Sequence, residues 1–81
     1  MDSNFLEIFS KAQNLHIRGF YEQALTLYSI LLEKSFNYDV AINRGIAFLA
    51  LNEAAQAVKD FDLAIQNDPT RYEAFFRKGN F

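Results

Sequence analysis

The stretch that decides the fold is residues 38–71, with the sequence YDVAINRGIAFLALNEAAQAVKDFDLAIQNDPTR. Its small and apolar residues recur at intervals of three and four, a spacing that places them on one face of a helix. The first run contains Ala41, Gly45, Phe48 and Leu51, and the second contains Ala57, Phe61, Ala64 and Ile65. Asn52 separates the two runs, and Asp68-Pro69-Thr70 follows the second. This stretch therefore predicts two helices joined by a short turn.

The same pattern occurs earlier in the chain and begins again near its end. Ala12, Ala24, Tyr28 and Leu31 repeat the spacing of Gly45, Ala57, Phe61 and Ala64, and Ala12 lies 33 residues before Gly45. A third copy begins 34 residues after Gly45, at Gly79. The sequence predicts five helices and no strand: residues 4–17, 21–34, 38–51, 54–67 and 71–81, with ends uncertain by about two to four residues.

The helix ends have their own signals. Gly19 and Asn52 occupy equivalent places in the two copies, and both residue types tolerate the left-handed conformation that ends a helix. Asn37 precedes the third helix and is a favoured N-cap residue. Within each pair, small residues predict close contact between the two helices. We expect Tyr28 and Phe61 to fill the space where one pair meets the next.

Helix pairs joined by short turns and repeated at about this length resemble the tetratricopeptide repeat (TPR) family. Residues 38–71 match best, and residues 5–37 match with departures at Leu31 and Phe36. A third repeat, residues 72–81, stops within its first helix and looks truncated. The resemblance implies an all-α fold, a single TPR domain over residues 1–81 that forms a short right-handed solenoid. The matching positions in the second repeat are Gly45, Phe48, Ala57, Phe61, Ala64 and Pro69.

Composition excludes several other classes of protein. The net charge is −2, which argues against an electrostatic nucleic-acid binder. There is no Cys for a disulfide framework or a thiolate metal site. The longest apolar run is residues 46–51, far short of the about 20 residues that span a membrane. We expect a soluble, cytoplasmic protein with no membrane partner, and a nuclear location is the alternative.

Catalytic and metal-binding patterns are missing from the sequence. His16 is the one histidine, whereas a zinc site needs three or four ligands, so we expect a partly exposed polar residue there. Asp60 and Asp62 diverge around a helix, which predicts a solvated face shared with Lys59 rather than an acid–base pair. No Gly-rich phosphate loop is present. The sequence predicts no enzyme, no cofactor or metal, and no small-molecule substrate.

The TPR resemblance implies a binding groove lined by the first helix of each pair. We expect the groove to bind a protein or peptide with apolar side chains and a carboxylate. Some of its residues could instead pack between repeats. An alternative function is assembly, in which the chain associates with itself or with a neighbouring domain through an open C-terminal end. The groove candidates are Phe9, Gln13, Ile42, Asn43, Ile46, Leu49, Phe76, Arg77 and Asn80.

One subset of the family, the chaperone-binding co-chaperones, holds a C-terminal carboxylate with five residues. Asn43 and Arg77 match this clamp, whereas Phe9, Gln13 and Glu73 depart from it. Residues 43–45 and 77–79 also resemble the N-terminal TPR module of CS- and SGS-domain co-chaperones. Those proteins bind the chaperone through other domains. Because Glu73 is negative where the clamp would have Lys, we expect weak binding to the acidic tails of heat-shock chaperones.

Overall fold

A computed structural model describes residues 3–68, and this part of the chain is all-α. It contains four helices: α1 (Ser3–Ile17), α2 (Tyr21–Lys34), α3 (Tyr38–Ala50) and α4 (Ala54–Asn67). Four predicted helices are thus confirmed, with boundaries that differ by one residue at most. No strand occurs between residues 3 and 68. The helix predicted for residues 71–81 lies outside the described residues.

The predicted helix ends are confirmed. Gly19 and Asn52 both have positive φ angles, of 88° and 63°. Each amide donates to the carbonyl oxygen three residues earlier, at 3.0 Å and 2.9 Å. The side chain of Asn37 accepts a hydrogen bond from the amide of Val40 at 3.1 Å and so caps α3. Gly19 and Asn52 therefore mark the ends of α1 and α3, and Asn37 marks the start of α3.

Each helix packs against the next one along the chain, and α1 also contacts α3. The buried residues form two clusters, and α3 contributes to both of them. The first cluster consists of Ala12, Ala24, Tyr28, Leu31, Val40 and Ala47. The second consists of Tyr38, Ala41, Ile42, Ala57, Phe61 and Ala64. Helix α3 therefore joins the α1–α2 pair to its own partner, α4.

The two aromatic residues of the repeated pattern occupy different surroundings. Tyr28 belongs to the cluster that Val40 and Ala47 of α3 complete, so it lies where the first pair meets the second, as predicted. Phe61 packs inside its own pair, against Gly45. The place where Phe61 would meet a third pair lies outside the described residues.

Helices α3 and α4 also share an ion pair that we did not predict. Asp60 is 3% exposed, and its carboxylate accepts two hydrogen bonds from Arg44, at 2.8 Å from Nε and 2.6 Å from Nη2. Arg44 Nη1 donates a further bond to Ser29 Oγ of α2, at 3.2 Å. The prediction that Asp60 lies on a solvated face was wrong. Asp60 lies three residues after Ala57 and shares its buried face.

Candidate functional site: a cleft between α1 and α3

Three of the predicted groove residues line one cleft of about 350 Å³. Gln13 comes from α1, and Asn43 and Ile46 come from α3. Helix α1 also contributes His16 and Ile17, which follow Gln13 by three and four residues and so lie on the same face. Tyr28 of α2 completes the lining. The contact between α1 and α3 thus brings residues 30 positions apart into a single site.

His16 is held at the cleft by two tyrosines. Its Nδ1 lies 3.0 Å from the hydroxyl oxygen of Tyr28. The imidazole makes edge contacts with the rings of Tyr21 and Tyr28, with centroids 5.5 Å and 6.0 Å away. These contacts fix the position of the ring. Burial lowers the pKa of His16 from its usual 6.5, so the ring is neutral at pH 7.

The buried hydroxyl of Tyr28 determines which nitrogen of His16 carries the proton. Tyr28 is fully buried, and burial raises its pKa to about 12, so it keeps its proton. A buried hydroxyl without an acceptor costs about 1–3 kcal/mol. We therefore assign the Tyr28 O–H as the donor to Nδ1 of His16, which places the imidazole proton on Nε2.

The side chains that line the cleft are uncharged at neutral pH. Gln13 and Asn43 supply amide groups, and each can both donate and accept hydrogen bonds. Arg44, the neighbour of Asn43, is bound to Asp60 and Ser29 and does not line the cleft. Two amides and a neutral imidazole suit the peptide groups of a main chain, which also donate and accept.

Apolar side chains are exposed beside these polar groups. Ile17 is 85% exposed, and Ile46 is half-buried. Leu6 is 58% exposed and lies two helical turns before Gln13, on the same face of α1. Among the described residues, Leu6 and Ile17 are the two most exposed large apolar side chains. Ile17 and Ile46 both line the cleft and so give it apolar surface beside its polar groups.

Within residues 3–68, the other predicted groove residues do not line this cleft. Ile42 is 3% exposed and belongs to the second core cluster, so it offers almost no surface to a partner. Leu49 is half-buried against that cluster, and Phe9 is half-buried against the first. The ring of Phe9 lies 6.3 Å from that of Tyr28, centroid to centroid. Phe76, Arg77 and Asn80 lie outside the described residues.

Sequence reasoning missed three residues of the cleft, namely His16, Ile17 and Tyr28. Helical spacing could have indicated His16 and Ile17, because both lie one turn after Gln13, a predicted groove residue. Tyr28 was assigned to the core, and its burial confirms that assignment. Its ring lies in the core while its hydroxyl reaches His16, and periodicity cannot separate these two roles.

Within residues 3–68, no group of three or more His, Asp or Glu side chains could hold a metal ion. No helix in this part of the chain has the length and apolar character needed to cross a membrane. Comparisons with protein-family models, curated proteins and solved structures found no match to the chain.

Proposed function

We propose that this chain is a protein-interaction module, not an enzyme, and that it binds an extended segment of a partner protein in the cleft between α1 and α3. The observation that carries the proposal is the lining of the cleft. It combines two amides and an imidazole with the exposed side chains of Ile17 and Ile46. The amides and the imidazole pair with peptide groups of the partner, and the two isoleucines contact one of its apolar side chains.

We further propose that the helices form a short right-handed TPR solenoid. Support comes from the two consecutive helix pairs, from the equivalent turns at Gly19 and Asn52, and from the contact between α1 and α3. In this arrangement the first helices of successive pairs line one concave surface, and the cleft is part of it. We expect the module to act in the cytoplasm, where a fold without disulfides is at no disadvantage.

The described cleft alone supports only weak binding. Burying one leucine-sized side chain contributes about 2 kcal/mol, and each neutral hydrogen bond contributes about 1 kcal/mol. One such side chain and two amide bonds give about 4 kcal/mol, which corresponds to a Kd of about 1 mM. A partner that binds more tightly must extend beyond the cleft. Leu6, exposed two turns before Gln13, is positioned for such a contact.

The cleft favours uncharged segments over acidic tails at neutral pH. Among the described residues, no cationic side chain lines it, and a carboxylate would lose its hydration without a charged partner there. Of the clamp residues that matched the co-chaperones, Asn43 lies in the cleft. We therefore propose that co-chaperone-like binding of acidic chaperone tails is weak in this protein.

Polar residues on α1 oppose the alternative function, self-association by stacking of helix pairs. Helix α3 uses Val40 and Ala47 to pack against the first pair. The equivalent positions of α1, 33 residues earlier, are Glu7 and Asn14, and both are exposed. A second copy packed against this face would bury a charge and an amide, which is costly unless they are paired. We therefore favour a monomer that binds a partner.

A displayed library of random nine-residue peptides tests the proposed function. We expect wild-type protein to enrich peptides with an apolar residue at pH 7.5. Asn43→Ala should weaken binding of an enriched peptide about fivefold, because one neutral hydrogen bond contributes about 1 kcal/mol to the binding free energy. Gln66→Ala is the matched control, because Gln66 is exposed on α4, which contributes nothing to the cleft. The proposal is wrong if no peptide is enriched, or if the two variants bind equally well.

A further inference from the structure

His16 has one ring nitrogen that the fold does not use. Nδ1 is occupied by the hydroxyl of Tyr28, and no hydrogen bond joins Nε2 to any residue between 3 and 68. Since the ring lines the cleft, Nε2–H is the nitrogen available to a bound partner. Its contacts with Tyr21 and Tyr28 hold the ring in place, so the donor is positioned before a partner arrives.

We propose that His16 is a specificity-determining residue of the cleft, and that it selects uncharged segments at neutral pH and carboxylate-bearing segments once it is protonated. This inference rests on the proposed binding function of the same cleft. In the neutral state, Nε2–H donates to a main-chain carbonyl of the partner. In the protonated state, the same N–H carries a positive charge and forms a stronger, charge-assisted bond to a carboxylate.

The surroundings of His16 leave that charge uncompensated. In the turn after α1, Arg18 is the nearest charged side chain in sequence, and its guanidinium lies over the ring of Phe20. On α2, Tyr21 and Tyr28 are the titratable groups in contact with His16. On α3, the lining residues Asn43 and Ile46 have no charge. From the part of the chain that the structure describes, no acidic side chain lines the cleft, so a carboxylate of the partner would be the counter-ion of the protonated ring.

The bond to Tyr28 is lost when His16 is protonated. Protonation places a hydrogen on Nδ1, which can no longer accept from the Tyr28 hydroxyl. That hydroxyl must then rotate and accept instead, and its own proton loses its acceptor. The cost opposes protonation in the free protein, as burial does. A carboxylate bound at Nε2 offsets this cost of protonation, so binding of an acidic segment and uptake of a proton favour each other.

Selections from the same nine-residue library at pH 5.0 and pH 7.5 test the inference. At one peptide position, we expect Asp or Glu to be enriched about fivefold to tenfold more at pH 5.0 than at pH 7.5. This factor is the gain in affinity expected when one hydrogen bond becomes charge-assisted. His16→Gln keeps an N–H donor near Nε2 without titrating, and it should show no difference between the two pH values. The inference is wrong if the wild type selects the same residues at both pH values, or if His16→Gln shows the same enrichment.

A second measurement uses wild-type protein alone and avoids any problem with folding of the variant. The pKa of His16 is followed by NMR with and without the peptide selected at pH 5.0, and with a copy of that peptide in which Asp or Glu is replaced by Asn or Gln. The acidic peptide should raise the pKa, and the amide copy should not. Equal effects of the two peptides would overturn the inference while leaving the binding function intact. Failure to select any peptide at either pH would refute both.

Discussion

Replacing Gly45 with Ala tests the packing of α3 against α4, because an added Cβ has no room. It would lie 2.8 Å from Cζ and 3.0 Å from Cδ1 of Phe61, and closer still to Cε1. Carbon atoms pack best at about 3.5–4.0 Å. Phe61 is fully buried and cannot move away freely. Overpacking of this kind costs about 1–3 kcal/mol, and the close approach here places the cost at the upper end.

Alanine also favours a helix over glycine by about 1 kcal/mol, so the net loss of stability should be about 1–2 kcal/mol. For a domain of this size, that lowers the Tm by roughly 5–15 °C. Urea unfolding followed by circular dichroism measures the change. The matched control is Gly45→Ala in a Phe61→Leu background, where the smaller side chain should make the substitution neutral or stabilising. A rise in stability in the wild-type background would refute the assigned contact between Gly45 and Phe61.

Three further outcomes follow from the same structure. Ala57→Leu, at a fully buried position, should cost about 1–3 kcal/mol, whereas Gln56→Leu on the exposed face should be nearly neutral in urea unfolding. Asp60→Leu should cost about 3 kcal/mol, the lower end of the range for breaking a buried ion pair, because Arg44 loses its carboxylate partner but is 22% exposed. Asp60→Leu with Arg44→Leu should recover part of that loss, and an equal or larger loss in the double variant would contradict this. The lowered pKa of His16 means that the unfolded chain binds more protons just below pH 6.5, so stability should fall as the pH drops through that range. His16→Gln should remove this slope, and an unchanged slope would show that another group causes it.

Local signals in the sequence were sufficient for the helices and their ends. The three- and four-residue spacing located four helices to within a residue, and Gly19, Asn37 and Asn52 act at the helix ends as predicted. Such features depend on neighbours within one or two turns, which is why sequence alone reveals them. The repeated pattern also placed Tyr28 correctly at the junction of the two pairs.

Features that depend on contacts between helices were harder to predict. Asp60 was assigned to a solvated face by its chemistry, but its position one turn after Ala57 places it against α3, where Arg44 neutralises it. Ile42 was assigned to the groove, but packing against α4 buries it. The pairing of His16 with Tyr28 depends on the angle between α1 and α2, which periodicity does not specify.

NMR chemical-shift mapping tests most directly whether a partner binds between α1 and α3. A peptide selected at pH 7.5 is titrated into isotopically labelled protein, and perturbed amide and side-chain signals are placed on the structure. Binding in the cleft should cause the largest changes at Gln13, His16 and Asn43, which line it with polar side chains. A second groove, of about 470 Å³, lies between the α1–α2 turn and Leu51 and includes Phe20. Changes centred on that groove, with Gln13 and Asn43 unaffected, would show that the partner does not bind in the cleft between α1 and α3.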